Sequence, residues 1–150
     1  MITVDQIKEL RDRTSVSVAK CKKALEEAGG DMNKALEILQ KEGAIGAQKR
    51  ADRALGAGVV EAYIHSNKQV GVLLELKSES DFVARNPEFQ NLAHSVAMHI
   101  AACDPKDAKE LMEQPYVKNP NLMVKDYIRE AIQKFGENID VARFTRFSLS

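Results

Sequence analysis

Val60-Glu61-Ala62-Tyr63-Ile64 and Val70-Gly71-Val72-Leu73-Leu74-Glu75-Leu76 are two runs in which apolar residues recur at every second position. Val60, Ala62 and Ile64 carry the first alternation, and Val70, Val72, Leu74 and Leu76 the second. A period of two sends successive side chains to opposite faces of an extended chain, and Ser66-Asn67-Lys68 between the runs supplies a turn. The pair reads as a β-hairpin. Downstream the period changes: Phe89, Leu92, Ala93, Val96, Ala97 and Ile100 follow the spacing of one face of a helix. Pro105, Pro115 and Pro120 punctuate a looser segment. Val124, Tyr127, Ile128, Ala131, Ile132 and Phe135 then predict a last helix that stops at Gly136. Val141 to Leu149 reads as a final strand, with Phe144 and Phe147 on opposite faces because their separation is odd. Helices can cover one face of this sheet of about three antiparallel strands, an α+β core over residues 57–150. The open face is expected to carry Tyr63, His65, Leu73 and one of the two phenylalanines, with Glu61, Glu75 and Lys77 toward the strand ends. A sheet left this apolar usually meets something.

Upstream of the hairpin the pattern is helical throughout. Thr3 with Gln6 fits a capping box ahead of Val4, Ile7 and Leu10. A second helix begins near Ser17 with Val18, Cys21, Leu25 and Ala28 on one face, and Gly29-Gly30 ends it. Asp31 can cap a third, with Met32, Ala35, Leu36 and Leu39 on its apolar face, ending before Gly43. Helices of about ten residues do not stand alone in water, so these stripes must pack against one another. That defines a three-helix module at residues 1–42. Residues 43–56, with Gly43, Gly46 and Gly56 around Gln48-Lys49-Arg50, read as a linker or connecting helix with little apolar face to dock it.

Composition narrows the partners. The chain has 150 residues, with 22 Lys plus Arg against 22 Asp plus Glu. Residues 1–55 hold 11 basic and 9 acidic side chains, so charge is not segregated, and no field draws the chain to nucleic acid or to an anionic membrane. No stretch approaches the roughly 18 apolar residues of a membrane span, and the first residues resemble no leader sequence. Cys21 and Cys103, far apart in helix-like patterns, read as reduced thiols of a cytoplasmic protein. There is no phosphate-binding glycine loop, no Gly-x-Ser-x-Gly elbow and no His-Glu-x-x-His pair, so no enzyme, cofactor or metal site is expected. His94 and His99, five apart, diverge by about 140° round a helix, too far for one metal. Lys20, Lys22 and Lys23 read as a solvated face. Asp81-Phe82 lies just off the end of a strand. Read from residue types alone, Ser80 caps a helical turn there while Phe82 and Val83 fill the core.

A second account of that pair comes from resemblance. Ser80-Asp81-Phe82-Val83 is similar to the Thr-Asp-Phe-Val motif that members of the elongation factor Ts family carry after their second strand, and the match continues through Ala84-Arg85-Asn86 and Phe89. Leu10-Arg11-x-Arg13-Thr14 and Cys21-Lys22-Lys23-Ala24-Leu25 match as well, as do Gly136-Glu137-Asn138-Ile139 and Arg143-Phe144. The likeness runs over nearly the whole chain, in order and without large gaps. Three departures stand out. Ser15-Val16-Ser17-Val18-Ala19 replaces the family's Gly-Ala-Gly-Met-Met, Ser78 stands where relatives often have Cys, and one core copy stands where longer relatives have two.

The resemblance implies a ubiquitin-associated-like fold for residues 1–42 and guanine nucleotide exchange on elongation factor Tu without covalent chemistry. In relatives the Asp-Phe loop enters the G domain beside the Mg²⁺ site. Ser80, Asp81, Phe82 and Val83 would form that loop here, and Leu10, Thr14, Val18 and Ala19 would be further contacts. Longer relatives also use a histidine on the hairpin of their second copy, which His65 resembles, so a homodimer through the open sheet face would place both features on one partner molecule. The alternative is a ubiquitin-associated-type adaptor for helical or nascent peptides, which explains the first module and leaves residues 57–150 without a role.

Overall fold

The computed structural model describes residues 1–14 and 16–149, so Ser15 of the altered N-terminal stretch lies outside the described residues. Helices α1 (Val4–Thr14), α2 (Val18–Glu27) and α3 (Met32–Arg50) come first. Their starts are fixed locally. Thr3 and Gln6 bond each other's backbone N–H at 3.2 and 2.9 Å, the reciprocal pair read from sequence. Ser17 Oγ accepts from the Lys20 N–H and Asp31 Oδ1 from those of Asn33 and Lys34. Leu10, Val16, Cys21, Ala24, Leu25, Ala35 and Leu39 close a separate small core.

The third helix does not end before Gly43. It continues to Arg50, and Gly43 is buried against the last long helix, where an added Cβ would lie 2.8 Å from Gln133 Oε1. A glycine inside a helix costs about 1 kcal/mol relative to Ala, and the close approach it permits, with Ala47 packed on the second core, offsets this. Of the two readings of this segment, linker or connecting helix, it is helix up to residue 50, and it is docked more firmly than its sparse apolar face suggested.

Strands β1 (Ala57–Ile64) and β2 (Val70–Ser78) form the hairpin, followed by the single turn α4 (Asp81–Ala84) and α5 (Pro87–Cys103). The looser segment is ordered as α6 (Ala108–Glu113) and a small hairpin, β3 (Pro115–Tyr116) with β4 (Asn119–Met123). Helix α7 (Val124–Phe135) and β5 (Ile139–Ser148) complete the chain. The main sheet is antiparallel in the order β1-β2-β5, and its core is built on Val72, Leu74, Leu76, Phe89, Leu92, Val96, Ile100, Ile128, Ile132 and Val141. Each fully buried aliphatic or Phe side chain in it contributes about 1.5–3 kcal/mol.

The faces of β1 are reversed from the expectation. Val59, Glu61 and Tyr63 point to the helices, because they lie opposite the buried Leu76, Leu74 and Val72. Tyr63 packs on the core and sets its ring edge-on to His94 of α5, centroids 5.6 Å apart, so it is not on the open face. The open face carries Val60, Ala62, Ile64, Leu73 and Phe147, while Phe144 opposite Leu74 turns inward. It is more apolar than expected.

Candidate functional site

β2 ends at Ser78, whose buried hydroxyl donates to the Ser80 carbonyl at 3.0 Å. Ser80 is extended, and its Oγ accepts from the Val83 N–H, which starts the four-residue turn α4. Neighbouring residues on a helical turn are about 100° apart, so Phe82 and Val83 cannot share a direction. Val83 and Ala84 face the core, at 5% and 4% exposure. Phe82 faces solvent at 84% exposure, so it does not fill the core as residue type alone had allowed. Asp81 is exposed beside it. Asn86 caps α5 directly behind, with Pro87 in its first turn, so the turn is held on both sides.

A second device holds the turn from below. Gly136, at φ 71°, ends α7 in the left-handed conformation that glycine adopts without strain. Glu137 follows. Its Oε1 accepts from the backbone N–H groups of Glu79 and Ser80 at 3.1 and 3.0 Å, and its Oε2 from Ser80 Oγ at 2.6 Å. Reciprocally, Glu79 Oε2 accepts from the Asn138 N–H at 2.6 Å. Asn138 Nδ2 donates to the carbonyls of Ala51 and Arg53, just past the end of α3, at 3.3 Å each. The Arg53 guanidinium lies 3.6 Å from Glu79 Oε2. Sequence reading gave Glu79 and Glu137 no role. The only signal was the match at Gly136-Glu137-Asn138-Ile139.

The remaining candidate residues are scattered. His65 is exposed at the hairpin end, its Nδ1 3.0 Å from the Tyr63 hydroxyl. Val18 is about half exposed and Ala19 exposed at the start of α2. Thr14 is partly covered and lines a cleft with Leu92, Tyr127 and Phe135. Leu10 is fully buried in the N-terminal core and offers no surface.

His99 of α5 is buried. Its Nδ1 accepts from the Val117 N–H at 3.1 Å, which assigns the proton to Nε2, 2.8 Å from Gln114 Oε1. Burial lowers its pKa from the ordinary 6.5, against the Gln114 hydrogen bond. Burial also pushes up the Cys103 thiol and the Tyr116 phenol. These groups serve the packing of the small hairpin. Among the described residues no cluster of three or more His, Cys, Asp or Glu is gathered as metal ligands would be, and no described helix is long and apolar enough to cross a membrane.

A sequence profile of the family described as Elongation factor TS matches residues 79–150, which begin just before the turn and include Glu79, Glu137 and Asn138. Elongation factor Ts of Carboxydothermus hydrogenoformans is 40% identical, covering 99% of this chain and 89% of its own. That of Thermosipho melanesiensis is 39% identical, covering 99% of both chains. That of Thermotoga maritima is 40% identical, covering 99% of this chain and 96% of its own. The chain belongs to the elongation factor Ts family. The expectation of no large gaps fails. The first of these alignments runs over 194 positions while this chain has 150 residues, so at least 44 positions are filled by the relative alone.

Proposed function

We propose that this chain is a guanine nucleotide exchange factor for elongation factor Tu in translation elongation, acting in the cytoplasm and without covalent chemistry. The observation that carries the mechanism is Phe82, a large apolar ring 84% exposed on a turn whose next two residues are buried and whose base is clasped. An exposed ring on a fixed mount is suited to entering a partner. Burying it there contributes about 1.5–3 kcal/mol. Bound Mg²⁺ demands near-octahedral geometry at about 2.0–2.1 Å, so a small displacement of the groups around it weakens the ion and the diphosphate together. Phe82 is the wedge, and Asp81 beside it competes for polar groups of that shell. Val83 anchors the turn from beneath, and Ser80 caps it. By linkage, a factor that lowers GDP affinity by some ratio has its own affinity lowered by GDP by the same ratio.

Residues 1–42 are the partner-binding module. The two cores support this division, since the buried set of the first ends at Leu39 and every residue packed on the second is Ala47 or later. Val18 and Ala19 offer the module's contact surface with Thr14 beside them, and Leu10 supports it from inside. The match at residues 79–150 covers most of the stretch, 57–150, that a peptide adaptor leaves unexplained.

The active form is a homodimer through the open face of Val60, Ile64, Leu73 and Phe147. His65 and Phe82 lie beyond opposite ends of β2, whose nine residues span about 30 Å. Two sheets packed about a two-fold axis with β2 strands antiparallel bring His65 of one copy toward Phe82 of the other.

The test is release of labelled GDP from elongation factor Tu. Catalytic amounts of the protein should accelerate it, and unchanged release at saturating protein would refute exchange. Mixing inactive Phe82→Ala and His65→Ala chains tests the shared site. Heterodimers then hold one intact site, so activity returns, whereas sites within single chains leave the mixture inactive.

A further inference from the structure

We infer that Glu137 is a positioning residue for nucleotide exchange, setting the direction of Phe82 through the backbone of Glu79 and Ser80. The inference rests on the wedge reading above and names what makes the wedge stiff.

A turn of four residues has no helical cooperativity of its own, and α4 would sample several directions if only Val83 and Ala84 held it. Glu137 removes that freedom at the entry to the turn. One carboxyl group accepts three hydrogen bonds: two from consecutive backbone N–H groups and one from the capping hydroxyl. The two backbone donors fix the peptide planes on either side of Glu79. The hydroxyl fixes Ser80 Oγ where it receives the Val83 N–H at 3.3 Å. Phe82 stands between these two fixed points. Charge-assisted hydrogen bonds to a carboxylate are about twice as strong as neutral ones, so this is the stiffest available hold on a short exposed turn.

Glu137 is itself held. Its neighbour Asn138 is buried, and gives its backbone N–H to Glu79 and its side-chain amide to Ala51 and Arg53. The clasp therefore joins three segments: the residues after α3, the exit of β2, and the turn from α7 into β5. Because α3 is continuous from Met32 to Arg50, the clasp also fixes the wedge relative to the N-terminal module. A partner gripped by that module meets Phe82 at one set distance.

Neither Glu79 nor Glu137 needs to touch the partner for this, so its signature is specific. Loss of the clasp lowers the rate in the saturated complex more than it lowers affinity, and it acts only while Phe82 is present. The experiment measures labelled GDP release from elongation factor Tu against concentration of the full-length chain, for wild type, Glu137→Ala, Glu137→Gln, Phe82→Ala and the Phe82→Ala/Glu137→Ala double variant. Thermal unfolding of each is measured alongside.

Misplacing a reacting group by about 1 Å can cost a hundredfold, so a loosened wedge should lower the saturating rate about tenfold in Glu137→Ala, with the half-saturating concentration within about twofold of wild type. Glu137→Gln keeps an acceptor for both backbone donors and should recover most of the rate. In the Phe82→Ala background, Glu137→Ala should add nothing further. A folded Glu137→Ala that exchanges at the wild-type rate, while Phe82→Ala is slow, overturns the positioning role alone. Equal losses from Glu137→Ala with and without Phe82 also overturn it, because Glu137 then acts by another route. A Phe82→Ala variant that exchanges normally overturns the wedge reading, and with it the role given to Glu137.

Discussion

The molecule exposes large apolar side chains in two quite different settings. On the open sheet face Val60, Ile64, Leu73 and Phe147 lie in neighbouring strands and form a broad plane, crossed only by the Arg143–Glu75 hydrogen bond at 2.9 Å and mounted on no turn. At the other site Phe82 stands by itself, with its two successors buried beneath and the Glu137 carboxyl bonded to the preceding backbone. A plane suits burial against a matching plane, where area matters and no single atom must be placed. A single ring on a braced turn suits insertion at one point. The difference teaches that exposed apolar residues are best read by what holds them.

Substitutions can break or sharpen that contrast. The largest effect belongs to Phe89, seven residues after Phe82, fully buried and edge-on to Phe135 at 6.2 Å. Phe89→Ala should destabilise by about 3–5 kcal/mol in denaturant unfolding, because it leaves a cavity. A loss under about 1 kcal/mol would mean that the second core is not packed as described. On the open face, Leu73→Asp replaces the middle of the plane, between Ala62 and Thr145. If the proposed homodimer forms, it should turn that dimer into a folded monomer in sedimentation, at a cost of about 1 kcal/mol or less to the fold itself. Persistence of the dimer would assign the plane another purpose.

The smallest effect is acid destabilisation through His99. Its folded pKa is below the ordinary value, so the folded state binds fewer protons than the unfolded state. Its contribution is complete above about pH 6.5 and is lost as pH falls below 6.5 toward the depressed folded value. Protonation would place a proton on Nδ1, where the Val117 N–H now donates, with Cys103 Sγ 3.9 Å away and the Tyr116 ring alongside. The melting temperature should decline between pH 7 and about pH 5.5, and less steeply in His99→Gln. Identical slopes would remove His99 as the cause.

How much of this could be read from the sequence depended on the range of the interaction. The caps at Thr3, Ser80 and Asp31 were legible because donor and acceptor lie two or three residues apart. The hairpin and the helix from Phe89 to Ile100 were legible from their periods. The phase of β1 was not, because Val59-Val60 and Tyr63-Ile64 are apolar pairs that fit either face. Register against Leu74 and Leu76 decided it. The length of α3 was hidden because Gly43 and Gly46 weigh against a helix locally, whereas packing on α7 overrides that weight. Glu137 was silent because its backbone partners lie 57 and 58 residues away.

The central claim is that Phe82 acts on a partner and contributes nothing to the fold. Its most direct test is Phe82→Ala, assayed for stimulated GDP release from elongation factor Tu and for thermal unfolding in the same buffer. Surface changes away from packed features usually stay within about 0.5 kcal/mol, so the melting temperature should be unchanged while the exchange rate falls at least about tenfold. A large drop in melting temperature with normal exchange in the folded fraction would contradict it.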